Sequence, residues 1–141
     1  MSDKARVYAV RSGRLLVFTQ PDFPEAGTQV PGGTIEPGET AEAAARREFT
    51  EETGLAVETL VALEPYADPT GAVRFPFLCD APAEWPDSWE HEERHASGGA
   101  APIRLLYGWI ALADAKLRLR RSDRYAGMAT PIEEIMRRID L

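Results

Sequence analysis

Three glutamates recur at helical spacing near the middle of the chain. Glu48, Glu51 and Glu52 stand at i, i+3 and i+4 in TAEAAARREFTEET, a stretch without Gly or Pro, so one helical turn brings their carboxylates together. The same stripe contains alanines, which predicts that it packs inward. Buried like charges are costly without a cation, and oxygen ligands with no nearby Cys favour Mg²⁺ or Mn²⁺.

A solvated helix face is the alternative interpretation of these glutamates, with Arg46 and Arg47 supplying ion pairs. The residues before the helix favour the metal. Gly32 and Gly33 allow a backbone carbonyl to approach a cation closely, and Glu39 places a charge near the positive N-terminal end of the helix. A loop followed by a helix can thus deliver several oxygens to one point.

A second candidate region is WPDSWEHEERH, residues 85–95. Glu90 or Glu93 could complete a metal shell or act as a base, and His91 could contact a phosphate or transfer a proton. The alternative is a polar surface loop with a few buried aromatic residues. We expect no functional role for His95.

The elements that position these residues follow from the hydrophobic pattern. Helices are predicted over 40–53 and 131–139, and strands over 6–10, 14–18, 56–63, 72–79 and 105–112. Pro76 favours an edge position or a bulge for its strand, and residues 81–103 are predicted to be a long loop. This order predicts an α/β or α+β sandwich with a mixed sheet, in one domain over residues 1–141.

Composition limits the partners. The chain has 141 residues and a formal charge of −7, which disfavours general nucleic-acid binding and acidic lipid surfaces. A phosphate ligand would therefore need local neutralisation by a cation. Cys79 is the single cysteine, so no internal disulfide can form, and no apolar run reaches the roughly 18–20 residues that span a bilayer. We expect a soluble, cytoplasmic protein.

The remaining aromatic and basic residues give weaker signals. The aromatic residues predicted for the core are Phe77, Tyr107 and Trp109. Those at strand ends or in loops, where ordinary packing or stacking on a nucleobase is open, are Phe18, Phe23 and Tyr66. A basic run with a strand-like or turn-like alternation could hold distal phosphates or form a solvated edge, and its members are Lys116, Arg118, Arg120, Arg121 and Arg124.

Residues 33–55, GTIEPGETAEAAARREFTEETGL, resemble the Nudix box. That pattern reads Gly, five residues, Glu, seven residues, Arg-Glu, an aliphatic residue, any residue, Glu-Glu, any residue, Gly and an aliphatic residue. The positions in register are Gly33, Glu39, Arg47, Glu48, Glu51, Glu52, Gly54 and Leu55. Phe49 departs from the pattern, because it places a larger side chain where the family usually has Ile, Leu or Val.

The resemblance implies a Nudix-type α/β/α sandwich with a mixed sheet and a box that binds a divalent metal. By the same resemblance, the metal-binding and catalytic carboxylates would be Glu48, Glu51 and Glu52. The carbonyl of Gly32 would be a further ligand, and Arg47 would position a carboxylate by ion pairing. Glu39 would stabilise the loop, and Gly33 and Gly54 would be structural positions of the box. The box leaves open which carboxylate is the general base.

The function implied is Mg²⁺- or Mn²⁺-dependent hydrolysis of a phosphoanhydride in a small nucleotide. Candidate substrates are nucleoside di- or triphosphates, nucleotide sugars and dinucleoside polyphosphates. Alternatives on the same scaffold are an isomerase, an mRNA-cap hydrolase and a non-catalytic nucleotide sensor, but the intact carboxylates favour the hydrolase. The expected partner is the small-molecule substrate, with no membrane and no general nucleic-acid binding, and a homodimer is left open.

Overall fold

The computed structural model describes residues 2–93, 101–120 and 127–139. Within these ranges the strands are β1 (Lys4–Arg11), β2 (Arg14–Thr19), β3 (Gly32–Thr34), β4 (Val61–Ala62), β5 (Tyr66–Ala67), β6 (Val73–Asp80), β7 (Trp89–Glu93) and β8 (Ile103–Ala111). The helices are α1 (Ala41–Thr53), α2 (Leu112–Arg120) and α3 (Ile132–Ile139), with a 3₁₀ turn at Pro24–Ala26. None of the described helices is long and apolar enough to cross a bilayer.

All eight strands join one mixed sheet, with the order β4-β6-β1-β2-β8-β7 along its main path. β1 and β6 are parallel, and the other pairs are antiparallel. One core, which includes Phe49, lies between the sheet and α1, and a second core, which includes Ile132 and Ile135, lies under α2 and α3 on the opposite face. The chain is therefore an α/β/α sandwich, as expected.

The segment before α1, residues 29–34, lies as a wedge between β1 and β2 and shapes the site. β1 pairs with β2 only at its end, at Val10 and Arg11, whereas its beginning pairs with β3. Gln29 exchanges two backbone hydrogen bonds with Phe18 on β2, at 2.9 and 3.0 Å. The two central strands therefore diverge, and the glycines of β3 are carried to the edge of α1.

Most predicted elements are confirmed, and the corrections have local causes. Of the predicted strand 56–63, only Val61–Ala62 pairs with the sheet, although Val57 and Leu63 are buried. The predicted loop 81–103 contains β7, which pairs with β8 over five residues. β6 is an interior strand, so Pro76 is not on an edge. It lies where the pairing passes from β4 to β5, and its carbonyl accepts a bond from the Leu63 N–H.

The basic run was predicted to be an exposed strand or turn, and this prediction is wrong for its first part. Lys116 and Arg118 lie in α2, whose buried residues recur with helical spacing at Leu112, Ala115 and Leu119. Lys116 forms an ion pair with Glu133. Arg120 ends the helix, whereas Arg121 and Arg124 lie outside the described residues.

Candidate active site

Helix α1 begins and ends with local capping interactions. The Thr40 hydroxyl accepts a hydrogen bond from the Ala43 N–H at 3.1 Å, which satisfies a free donor of the first turn. Gly54 closes the helix in the left-handed region, with φ at 79° and its N–H bonded to Thr50 O at 2.9 Å. These caps confirm the predicted helix and fix the turn that carries the glutamates.

Three of the glutamates of α1, Glu48, Glu51 and Glu52, lie on the wall of one cleft, which has a volume of about 530 Å³. Glu52 is only 7% exposed, and its Oε2 accepts a hydrogen bond from the Gly32 N–H at 3.0 Å. The Glu48 side chain is 14% exposed and that of Glu51 is 32% exposed. The predicted inward-facing stripe is thus present, with exposure increasing from Glu52 to Glu51.

The backbone N–H and C=O of Gly32 face away from β1. Val7 donates a backbone bond to Pro31 O, and bonded and non-bonded pairs alternate along an antiparallel ladder. Gly32, opposite Arg6, therefore occupies the next, non-bonded pair, and its N–H bonds Glu52 instead. Because the N–H and C=O of one strand residue face the same side, the Gly32 carbonyl also points away from β1.

Arg47 joins the box residues by ion pairs. Its guanidinium donates to Glu39 at 2.8 and 2.9 Å, to Glu48 at 2.9 Å and to the Thr34 carbonyl at 3.1 Å, and it lies 3.4 Å from Glu51. Glu39 in turn accepts the Glu36 N–H at 3.0 Å, which closes the loop before the helix. Arg47 thus connects the loop that holds Glu39 to the carboxylates of α1.

The electrostatics of the cleft follow from burial and from mutual repulsion. Burial raises the pKa of Glu52 well above its ordinary value, and the nearby Glu93 and Glu48 carboxylates raise it further against the opposing Gly32 hydrogen bond. Burial likewise raises the pKa of Glu48, although Arg47 opposes this shift. The Arg47 hydrogen bonds lower the pKa of Glu39 to about 2. Among the described residues, Glu48 thus has Arg47 as its ion-pair partner, whereas the more buried Glu52 accepts a backbone hydrogen bond and has no ion pair.

These residues fit a hard divalent cation by their chemistry. Carboxylate oxygens and a backbone carbonyl are the ligands that Mg²⁺ and Mn²⁺ prefer, and the repulsion that raises the inner pKa values would be relieved by positive charge. Among the described residues, no three acidic, His or Cys side chains already surround one point as a ligand set. Binding would therefore require side-chain rotation, and Arg47 is the group already seated between Glu48 and Glu51.

Side chains from β7 and β8 hold the C-terminal end of α1. Three of them donate to its last carbonyl groups: His91 Nε2 to Glu51 at 2.9 Å, Tyr107 Oη to Glu52 at 3.1 Å, and Trp89 Nε1 to Thr53 at 3.0 Å. The Trp89 and Tyr107 rings stack with centroids 4.8 Å apart. Helix ends leave such carbonyls without intrahelical partners, so these contacts fix the turn that carries two of the cleft carboxylates.

The second candidate region divides between two faces of β7. Glu93 lines the cleft, as do the box carboxylates. His91 bonds the backbone of α1, and a Cβ at Gly54 would lie 3.2 Å from its ring. Glu90 points to the other face and pairs with Arg104 at 3.1 Å, so the structure does not bring it to the cleft. His95 lies outside the described residues.

The predicted aromatic core is present, with one exception. Tyr107 and Phe77 are buried, but Trp109 is only half-buried, and the Arg11 guanidinium covers its ring at 4.2 Å. Of the candidate stacking residues, Phe18 is buried at the cleft wall and Phe23 is 46% exposed away from it. The third, Tyr66, accepts a hydrogen bond from Arg6.

The sequence analysis did not identify the two basic residues that β1 contributes to the cleft. Lys4 and Arg6, on β1, line the cleft together with the carboxylates. Arg6 is 6% exposed and donates to Tyr66 Oη at 3.2 Å. The one available signal was a charged residue at an inward position of an otherwise apolar strand, since Arg6 interrupts the buried run Ala5 to Val10.

Comparisons with known proteins agree with this geometry. A family model described as the NUDIX domain matches residues 3–129. A MutT NUDIX hydrolase from Burkholderia pseudomallei is 26% identical, with a TM-score of 0.55, over 79% of this chain and 84% of that one. A NUDIX hydrolase from Nitrosomonas europaea is 20% identical, with a TM-score of 0.67, over 96% and 88%. Among curated proteins, no significant match is found.

The family model covers most of the chain, so this protein belongs to the Nudix family. Its class is that of the Nudix hydrolases, enzymes that act on phosphoanhydride bonds. The neighbour from Nitrosomonas europaea, at its low identity, supports the sandwich fold alone.

Proposed function

We propose that this protein hydrolyses a phosphoanhydride bond of a small nucleotide with a bound Mg²⁺ or Mn²⁺. One observation carries the proposal: Glu48, Glu51, Glu52 and Glu93 line a single cleft, and burial raises the pKa of both Glu48 and Glu52. A structural role would favour neutral residues here, since buried charges cost stability. Their presence is consistent with a cation that binds during function.

We infer that Glu48, Glu51 and Glu52 of α1 hold the cation together with the carbonyl of Gly32. A cation bound there would neutralise the non-bridging phosphate oxygens and polarise the attacking water. Gly32 fits a ligand role because its carbonyl faces away from β1. Arg47 would keep Glu48 and Glu51 in position by its hydrogen bonds, and Glu39 would keep Arg47 in position.

The chain's own groups would carry the proton transfer. Hydrolysis requires that water lose a proton as it attacks phosphorus, and that the leaving phosphate depart from the opposite side. We propose that a cleft carboxylate that is not ligating the cation accepts this proton. Glu93 is a candidate for that base because it faces the α1 glutamates from β7, as the Coulombic effect of its charge on Glu48 and Glu52 indicates.

The experiment is a hydrolysis panel of nucleoside di- and triphosphates, nucleotide sugars and dinucleoside polyphosphates, with products separated chromatographically. Each substrate is incubated with Mg²⁺, with Mn²⁺ and with a chelator. We expect cleavage of at least one class, dependent on metal, and products that name the phosphorus attacked. Nucleotide binding without cleavage of any substrate would favour the non-catalytic sensor instead.

Domain extent, location and substrate class complete the proposal. We propose one domain over residues 1–141, a cytoplasmic location, and a small-molecule substrate with no general nucleic-acid binding. The homodimer stays a prediction for measurement of the mass in solution. The basic run after β8 is not proposed as a phosphate site, since its described side chains do not line the cleft.

A further inference from the structure

Arg6 is a buried cation that opens into the cleft. Its side chain arises from β1, is 6% exposed, and lines the cleft that holds the carboxylates. A guanidinium carries five N–H donors. Arg6 Nη1 donates to Tyr66 Oη at 3.2 Å, and the buried Tyr8 phenol also interacts with this guanidinium. Two neutral phenol oxygens are fewer acceptors than five donors, and neither of them balances the charge.

The Arg6 side chain borders the cleft. It is 6% exposed and lines the cleft together with the box carboxylates. Among the described residues, the side-chain polar atom that is both buried and unpartnered is Nε of Arg74, so no atom of Arg6 has this status. A ligand in the cleft therefore lies next to the Arg6 side chain.

Arg6 also differs from the other arginines of low exposure, because it has no ion pair within the described chain. Those arginines each pair with a carboxylate: Arg11 with Asp87 at 2.9 Å, Arg47 with Glu39 at 2.8 Å, and Arg74 with Asp68. A buried cation without an anion is unfavourable, so the arrangement favours an anion supplied from outside the chain.

The position of Arg6 relative to the carboxylates identifies that anion. Arg6 lies directly opposite Gly32 in the β1/β3 pair, and Gly32 donates its N–H to Glu52. A Cβ at Gly32 would stand 2.8 Å from Arg6 Cγ, so the Arg6 side chain packs against the glycine whose N–H binds Glu52. Lys4 lines the same cleft two residues earlier on β1. A phosphate chain can therefore contact the carboxylate-held cation at one end and Arg6 at the other.

We propose that Arg6, assisted by Lys4 and held in place by Tyr66, binds a phosphate group of the substrate that the cation does not neutralise. The inference rests on the proposed function, because it assigns a phosphate compound to the cleft. Guanidinium donors bind phosphate oxygens in pairs, so Arg6 fixes where the phosphate chain lies as well as how tightly it binds.

The test measures binding of imidodiphosphate, a pyrophosphate analogue with a P–N–P bridge, by calorimetry in the presence of Mg²⁺. Arg6→Gln is expected to weaken binding at least tenfold, and Arg6→Lys is expected to weaken it less. The matched control is Arg14→Gln, which removes the same charge at an exposed position of β2 outside the cleft, and we expect less than a twofold change. Equal binding by wild type and Arg6→Gln overturns the inference.

A measurement on the wild-type protein covers the case in which Arg6→Gln does not fold. The Nε–H signal of Arg6, assigned by its loss in Arg6→Lys, is expected to shift when imidodiphosphate is added. An unchanged signal at saturating analogue overturns the inference. The failures of the two proposals are distinguishable. If the wild type hydrolyses nucleotides but Arg6→Gln binds the analogue as tightly as wild type does, only this inference is contradicted. If the wild type neither binds the analogue nor hydrolyses nucleotides, both proposals are contradicted.

Discussion

Gly33→Ala tests whether the position of the Glu48 carboxylate controls catalysis. A Cβ built on Gly33 lies 2.3 Å from Glu48 Cδ and 2.4 Å from its Oε2. Ordinary van der Waals contact begins at 3.4 Å, so the carboxylate must move by about 1 Å. Gly33 does not have a positive φ, so alanine itself introduces no backbone strain.

The expected magnitudes differ for stability and for turnover. A misplacement of about 1 Å at a reacting centre costs on the order of 100-fold in rate, or about 2.7 kcal/mol of activation free energy. The stability effect is small, because the displaced atoms end a flexible side chain. Loss of the Arg47 contact to Glu48 costs about 1 kcal/mol, and replacing glycine by alanine offsets about 0.4–1 kcal/mol through the unfolded chain.

The assay compares steady-state hydrolysis and thermal unfolding for wild type, Gly33→Ala and Gly108→Ala. Gly108 is the matched control, because it also lies in a strand without positive φ and a Cβ there meets no atom within 4 Å. We expect an unchanged melting temperature in both variants and an activity loss in Gly33→Ala alone. Equal activity of the two variants would refute the geometric argument.

Three further predictions concern the supports of the site. Because Arg47 lowers the pKa of Glu39 to about 2, their interaction stabilises the fold above pH 4.5 and is lost as the pH falls toward 2. Glu39→Gln is therefore expected to lower the melting temperature at pH 7 but not at pH 2. An equal decrease at both pH values contradicts this prediction. Because burial raises the pKa of Glu52, the folded metal-free protein binds this proton more tightly than the unfolded chain does, so its stability rises as the pH falls toward 4.5. Unfolding measured in chelator should show a weaker rise in Glu52→Gln. Trp89→Phe leaves the Thr53 carbonyl without its donor and should lower the free energy of unfolding by about 1 kcal/mol. Trp109→Phe should lower it less, because it removes a hydrogen bond to Pro86 at the surface. Denaturant titrations that rank the two variants in the reverse order contradict the proposed support of α1.

The sequence predicted the part of the site that depends on spacing within one helix. Glu48, Glu51 and Glu52 share a face at 3.6 residues per turn whatever the rest of the fold does, and Thr40 and Gly54 are strong end signals. The helix was therefore correct at both ends. The mixed sheet between helices also followed from the order of the elements.

The missed features depend on pairing between distant residues. β7 is rich in glutamate, which has a low strand propensity, and it forms because it pairs with β8 and packs Trp89 on Tyr107. The exposure of Arg6 to the cleft depends on the wedge of residues 29–34 between β1 and β2, which no local pattern encodes. In α2 the alternation of Leu and basic residues concealed the helical spacing of its buried positions.

The central claim is that the α1 carboxylates hold the cation that hydrolysis requires. Titration of Mn²⁺ into the protein, followed by electron paramagnetic resonance of the unbound ion, measures this directly for wild type and Glu52→Gln, with turnover recorded in the same samples. We expect that wild type binds Mn²⁺ and that Glu52→Gln loses Mn²⁺ affinity and turnover together. Full Mn²⁺ affinity in Glu52→Gln, or turnover in wild type that persists after all divalent metal is removed, would contradict it.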